Sequence, residues 1–451
     1  MDLKGKKVLV FGAGKSGIGA ADLLNAVGAC PVLYDGKADL DKESVLHKIS
    51  GNYELPIYAG ELPKEVQESL DLVVLSPGVP TDLPVVEKMK AAGIRIWGEV
   101  ELAYENAKGD VLAITGTNGK TTTTSLLGEI MKCWKESVYV VGNIGNPYTQ
   151  AAPKMTEESV TVAEISSFQL ETIDQFHPKV SAILNITPDH LNRHHTMAEY
   201  IRVKELITKN QTSEDTCVLN YEDPILRAFG ENLQIRVLFF SSERKLKQGL
   251  YLEDETIWYA DESQKLAICK TQDLNIVGKH NYENVMAAAG MALSYGVPLE
   301  KIQEAVKAFQ AVEHRIEFVT EKSGVVYYND SKGTNPDAAI KGIQAMSRPT
   351  LLIGGGYDKG SDYTEWIQSF DGKVKYLVLL GVTKEKIAET ARKCGFDNII
   401  MTESLEEAVK VCAENAESGD AVLLSPACAS WDMFPSYEVR GRRFKELVRN
   451  L

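Results

Sequence analysis

Thr115-Gly116-Thr117-Asn118-Gly119-Lys120-Thr121-Thr122 follows the apolar run Val111-Leu112-Ala113-Ile114 and precedes a helix-forming stretch, so the chain passes from strand through glycine turn to helix start. Such a turn cradles phosphate. Backbone N–H groups point at the anion, Lys120 reaches the terminal phosphates, and the Thr121 hydroxyl suits magnesium, so a nucleoside triphosphate is the expected guest. Ile114 stands where the usual phosphate loop has a glycine, which leaves a shortened G-x-x-G-K-T; the competing reading is an ordinary glycine-rich turn.

Outward from this loop, apolar runs at 138–141, 160–163 and 180–184 continue one sheet, and their near-continuous hydrophobicity predicts burial on both faces. Between 249 and 271 the pattern becomes alternating, which predicts antiparallel hairpins, and helical stretches follow at 282–295 and 299–309. Before the loop, runs at 8–11, 31–34, 72–75 and 94–97 alternate with helical stretches, the rhythm of a parallel sheet with helical crossovers. After about Ala311 the same rhythm reopens at 324–328, 349–353, 376–380 and 421–424.

A chain of 451 residues suits about three domains. With 49 basic and 63 acidic residues its net charge is −14, which argues against a nucleic-acid or anionic-membrane surface. The seven cysteines form no C-x-x-C pair, so neither a zinc site nor a disulfide framework is expected. The start, Met1-Asp2-Leu3-Lys4, leads straight into a strand, and no apolar run nears membrane-spanning length; a soluble cytoplasmic protein is expected.

Gly12-Ala13-Gly14-Lys15-Ser16-Gly17 follows the first strand and Asp35 ends the second, a dinucleotide-type fingerprint that suits a nicotinamide cofactor or any nucleotide diphosphate. Ser76-Pro77-Gly78 ends the next long strand, as a ligand edge or a plain turn. Glu164, at the end of 160–163, can share magnesium with Thr121 or cap a helix. His190, within Asn185-Ile186-Thr187-Pro188-Asp189-His190-Leu191-Asn192-Arg193-His194-His195, is a metal or phosphate ligand or a structural hydrogen-bonding residue. Spacing alone makes Lys204 an exposed helix lysine, and Cys428 a packing residue rather than a nucleophile. The lysine- and glycine-bearing loops 329–335 and 354–360 suit carboxylates or phosphates.

Taken with His280-Asn281-Tyr282-Glu283-Asn284, His314-Arg315, Asp330-Ser331-Lys332-Gly333-Thr334-Asn335 and 424–430, these motifs resemble the Mur ligase family over essentially the whole chain. The resemblance implies an α/β protein of three domains. These are a Rossmann-like UDP-sugar domain at 1–97, a central P-loop ATPase-like sheet with appended hairpins at 98–310, and a C-terminal Rossmann-like domain at 311–451 that brings the amino acid. It implies that Lys15, Ser16, Asp35, Lys37, Ser76, Pro77 and Gly78 hold the UDP-sugar, with Asn143 and Ser166 also on substrate. Gly116, Thr117, Asn118, Gly119, Lys120, Thr121, Thr122, Asn284, Arg315 and Asp330 would hold ATP. Thr121, Glu164, His190 and a carbamylated Lys204 would hold two magnesium ions. Lys332, Thr334, Lys359, Ser430 and Tyr437 would grip D-glutamate, with Lys120, His190, Lys204 and Lys332 as the catalytic set. The implied substrates are UDP-N-acetylmuramoyl-L-alanine and D-glutamate, joined through an acyl phosphate by a monomer without nucleic-acid or membrane partners. Asn192 stands where the family more often has aspartate. Rival readings are a nicotinamide oxidoreductase built on 12–17 and a nucleotide-gated binding module.

Overall fold

The computed structural model describes every residue except Asn52, Ile144, Gly145, Val277 and Ala311, and for Asn192 the backbone only. The opening of the third segment at Ala311 and any role of the Asn192 side chain therefore lie outside the described residues. Among the described residues, twenty strands form three sheets.

In the first sheet, β1 (Lys7–Phe11), β2 (Cys30–Asp35), β3 (Ile57–Ala59), β4 (Leu72–Leu75) and β5 (Arg95–Gly98) run parallel in the order β3-β2-β1-β4-β5. The order reverses between β1 and β4, so the loops leaving their carboxyl ends part and open a crevice for ligand. Those loops are 12–14 and 76–78.

The second sheet holds β6 (Asp110–Thr115), β7 (Val138–Gly142), β8 (Val160–Glu164), β9 (Val180–Ile183), β10 (Thr216–Asn220), β11 (Arg236–Ser241), β12 (Gly249–Glu253), β13 (Thr256–Ala260) and β14 (Lys265–Lys270). Its order is β14-β13-β12-β11-β10-β9-β6-β8-β7, parallel except for the β12-β13-β14 hairpins. β8, β9 and β10 are buried from end to end, as uninterrupted apolar runs require, and each buried aliphatic side chain there contributes about 1.5–3 kcal/mol. The hairpin strand β14 is wetter, with Lys265, Ala267 and Lys270 exposed and Ile268 and Cys269 buried. β6 lies between β8 and β9, so its carboxyl end is again a switch point.

The third sheet, β15 (Glu317–Lys322), β16 (Val325–Asn329), β17 (Thr350–Gly354), β18 (Val374–Leu379), β19 (Ile399–Met401) and β20 (Ala421–Leu424), runs β15-β16-β20-β17-β18-β19 with only β15 antiparallel. The sequence reading passes over β3, β10, β11, β15 and β19. β15 is a polar edge strand and β3 and β19 span three residues each, too little for a period. β10 carries a plain apolar run that simply goes unread.

The first two sheets belong to one compact unit, Met1–Lys270 with Glu283–Val306, and the third to another, Thr271–Tyr282 with Lys307–Leu451. One apolar core runs through the first unit, from Val8 and Leu24 past Trp97 and Val100 to Val111, Ala163 and Ile183. The helix Glu99–Asn106 feeds Val100, Leu102 and Ala103 into it and packs on both Lys15–Ala26 and Tyr148–Ala151. The ligand edges of the first and second sheets are thereby tied to one core.

Candidate active site

Gly119 caps the helix Lys120–Lys132 with φ 86°, in the left-handed region, and a Cβ there would lie 2.3 Å from Asn284 Oδ1. Both the conformation and the clearance demand glycine. Asn284 Oδ1 accepts from Thr123 Oγ1 (3.2 Å), which pins that side chain beside the loop. On the opposite side the Asn118 N–H donates to Asn185 Oδ1 (2.8 Å), and Asn185 Nδ2 donates back to the Asn118 carbonyl (3.1 Å). Thr117 Oγ1 accepts from the Thr187 N–H (3.0 Å). Lys120 Nζ donates to the carbonyls of Gly116 (2.7 Å) and Thr117 (2.9 Å). Thr121 and Thr122 are buried in a first turn without acidic residues, so the positive end of the helix dipole faces the loop.

Glu164 ends β8 in register with Ile114 of β6, which places it beside the loop. Its Oε1 accepts from Asn143 Nδ2 (2.8 Å), while its buried Oε2 has no hydrogen-bond partner among the described residues. A buried carboxylate oxygen left so is costly without a cation, and a hard, oxygen-seeking ion such as magnesium suits it. Among the described residues no group of three or more His, Cys, Asp or Glu could hold a metal.

Lys204 corrects the reading from spacing: it is 1% exposed, not a surface lysine. The helix Met197–Glu205 buries Tyr200, Val203 and Lys204 together, and the lysine Nζ donates to the Gly116 carbonyl (2.9 Å) while lying 4.6 Å from the Tyr200 ring centre. Burial first, and the charge of Lys120 second, hold its amine well below the ordinary lysine range. Tyr200, whose hydroxyl meets Thr117 Oγ1 (3.1 Å), was missed; its place one helical turn before Lys204 was the available signal. His190 stands at the edge of this cluster, exposed, with φ 52° and its ring 4.9 Å from that of Phe168.

On the first sheet the Asp35 carboxylate accepts from the N–H groups of Ala13 (2.9 Å) and Lys37 (3.0 Å), so it shapes the glycine loop directly. Ser76 Oγ donates to the Gly12 carbonyl (3.3 Å), joining the two ligand loops across the crevice beside Pro77 and Gly78. Lys15 and Lys37 are exposed there. Asn143 is turned onto Glu164, and Ser166 caps the helix Ser167–Leu170 in a capping box with Gln169.

In the second unit Asp330 is buried at the end of β16, accepting from Ser425 Oγ (2.7 Å) and the Ile316 N–H (3.3 Å), and burial raises its pKa to about 7 despite the nearby Arg315. Lys332 Nζ lies 5.5 Å from the ring centre of Tyr437, which opens the helix Tyr437–Arg449; Thr334 lies two residues further along the 330–335 loop. The Ser430 hydroxyl is buried without a hydrogen-bond partner among the described residues, and Lys359 Nζ lies 5.2 Å from the exposed Trp431 ring. Sequence reasoning missed Arg440, buried one turn after Tyr437. It donates to Ser331 Oγ and the carbonyls of Ser331 and Cys428, locking the 330s loop to the 428–430 loop. Cys428 is a packing residue as read: its Sγ meets Tyr363 Oη and Thr383 Oγ1, and burial pushes the thiol up. The loops 12–17, 35–37, 76–78, 116–122, 164–166, 330–335, 354–360 and 425–430 follow the carboxyl ends of strands, while Lys204, Asn284 and Tyr437 come from helices.

Three domain families match the chain in order. Residues 6–98 match the Mur ligase MurD-like N-terminal domain, residues 114–292 the Mur ligase middle domain, and residues 314–428 the Mur ligase glutamate ligase domain. The UDP-N-acetylmuramoylalanine–D-glutamate ligase of Lachnoclostridium phytofermentans is 59% identical over 451 residues, covering 100% of this chain and 99% of that one. The ligase of the same name from Lachnospira eligens is 57% identical, covering 100% of both. Among solved structures, the UDP-N-acetylmuramate–alanine ligase of Thermotoga maritima aligns with TM-score 0.61 at 19% identity over 99% of each chain, a likeness of fold.

Proposed function

The chain belongs to the Mur ligase family, and from that premise we propose that it joins the L-alanyl carboxylate of UDP-N-acetylmuramoyl-L-alanine to the amine of D-glutamate, cleaving ATP to ADP and phosphate. This is a step of peptidoglycan precursor synthesis. We read the enzyme as a cytoplasmic monomer of three functional segments, 1–97, 98–310 and 311–451; among the described residues no helix is long and apolar enough to cross a membrane.

The observation that carries the reading is the meeting, at one sheet edge, of a phosphate loop, a buried carboxylate oxygen and a buried lysine amine. In the first step an oxygen of the L-alanyl carboxylate attacks the γ-phosphorus of ATP, the bond to ADP breaks, and an acyl phosphate forms. Lys120 and the backbone N–H groups of 116–121 meet the charge that gathers on the phosphate oxygens. The uncharged amine of D-glutamate then attacks the acyl carbon; the tetrahedral intermediate expels phosphate, the nitrogen loses a proton, and an amide remains.

Two magnesium ions, one on Thr121 and Glu164 and one on His190 and the Lys204 carbamate, would supply charge neutralisation at the phosphates when bound. Burial prepares Lys204 for that modification. Burial lowers the cost of the uncharged amine; in that form it adds to carbon dioxide, a nitrogen–carbon bond forms, a proton leaves, and an anion would stand where a second cation would oppose Lys120. Lys15, Ser16, Asp35, Lys37 and 76–78 line the proposed UDP-sugar edge. Lys332, Thr334, Lys359, Ser430 and Tyr437 are proposed for D-glutamate, and Asn284, Arg315 and Asp330 for ATP.

Phosphate release, measured with each component omitted in turn, should require ATP, UDP-N-acetylmuramoyl-L-alanine and D-glutamate together. With oxygen-18 in the L-alanyl carboxylate, one label should appear in the released phosphate. Lys204→Ala should lower kcat by about 100-fold or more, roughly 2.7 kcal/mol of barrier, while remaining folded. Release from ATP alone, or unlabelled phosphate, would refute the reaction; near-normal turnover by Lys204→Ala would refute the carbamate.

A further inference from the structure

Arg193 spans two parts of the first unit that lie far apart in sequence. Its Nη2 donates to the Val79 carbonyl (3.0 Å), one residue past the 76–78 turn, and to Glu171 Oε2 (2.6 Å), while Nε donates to Glu171 Oε1 (3.3 Å). The two side chains are only 12% and 10% exposed, so the pair is poorly screened and its forked geometry is held. The guanidinium also lies over the Phe168 ring at 5.1 Å, and that same ring meets His190 at 4.9 Å.

Arg193 lies in the four-residue helix Leu191–His194, whose N-cap is His190 at φ 52° and whose C-cap is His195 at φ 64°. Two residues separate it from the helix Met197–Glu205, and the Arg193 and His194 side chains hold it to Glu171 and Ser167. On the other end of the bridge the Val79 N–H donates to the Ser76 carbonyl (2.9 Å), so the Val79 carbonyl is rigidly related to the turn at Ser76. A cavity of about 10 Å³, lined in part by Ser76, Pro77, Glu99, Phe168, Gln169 and Arg193, follows the same seam and has room for about one water. The second bridge between the segments, His195 to Asp82 at 3.2 Å, is exposed and contributes little.

We propose that Arg193 is a positioning residue that couples occupation of the 76–78 loop to the placement of His190, so that the UDP-sugar peptide and the magnesium nucleotide tighten each other's binding. The inference rests on the functional reading above. A ligand seated on 76–78 fixes the Val79 carbonyl, and through Arg193 it narrows the orientations open to the short helix; by linkage the effect runs equally in reverse. Lysine cannot substitute, because a single ammonium cannot satisfy both the forked Glu171 contact and the Val79 carbonyl.

The test is calorimetric titration of the full chain with UDP-N-acetylmuramoyl-L-alanine, with and without saturating magnesium AMP-PNP, which is not turned over. The wild type should bind the sugar peptide about 5-fold or more tighter with the nucleotide present. Arg193→Gln should reduce that factor to within about twofold while changing affinity for the nucleotide alone by less than about threefold, a split that general loss of structure would not produce. Arg193→Lys should show the same loss of coupling, and stands in if the glutamine variant does not fold. An undiminished factor in either variant, or no coupling in a wild type that binds both ligands, overturns the proposal. A wild type that binds no sugar peptide at all refutes the functional reading instead.

Discussion

Lys120 and Lys204 direct their amines at one oxygen, the Gly116 carbonyl, from 2.7 and 2.9 Å. Burial first, and repulsion from the Lys120 charge second, hold the Lys204 amine well below the ordinary lysine range. Asp330 is the converse case, an acid whose burial favours the neutral form, with Ser425 and Arg315 only partly opposing. Its folded pKa of about 7 lies above the ordinary 3.8, so the folded state holds the extra proton, and stability falls as pH rises between those values. The ceiling on that loss is on the order of 4 kcal/mol. Asp330→Asn removes the titration, so the variant's stability relative to wild type should rise steadily between pH 4 and pH 7. Urea midpoints across that range decide it; a gap independent of pH would show that Asp330 ionises normally.

Two glycine turns carry the ligand edges of the first unit, and their demands differ. At Gly119 alanine would adopt a left-handed φ, costing about 1–2 kcal/mol, and its Cβ would meet Asn284 Oδ1. At Gly14, φ is −76° and a Cβ would meet nothing within 4 Å. Gly119→Ala should therefore lower the melting temperature and weaken magnesium ADP binding by about tenfold or more, whereas Gly14→Ala should leave stability within about 0.5 kcal/mol. Calorimetry and thermal melts of both variants check this; a tolerated alanine at 119 would mean the loop is not built as described. These elements were legible because strand, turn and helix start are local features: 111–122 announces itself without reference to any other segment. The polar edge strand β15 did not, since no apolar period marks it. The exposure of Lys204 was misread, because helical spacing shows which residues share a face but not what covers it.

Two compact units, each made of two chain segments, predict unfolding in more than one step. The edge proposed for the UDP-sugar lies wholly in the unit of the first two sheets, so UDP-N-acetylmuramoyl-L-alanine alone should raise the transition of that unit and leave the other in place. Scanning calorimetry with and without this ligand reads both; equal shifts in both transitions, or a single transition, would contradict the assignment. The sequence by itself determined the three strand-and-helix segments, the phosphate loop and the polar clusters at strand ends, because propensity, periodicity and turn chemistry act over a few residues. Only the tertiary structure decided which of those ends become neighbours. The order β9-β6-β8 brings Glu164 beside the loop, and packing brings Lys204 to Gly116 across 88 positions and Arg193 to Val79 across 114. Contacts at such separations are set by how buried faces pair when the core closes, and no local pattern encodes them.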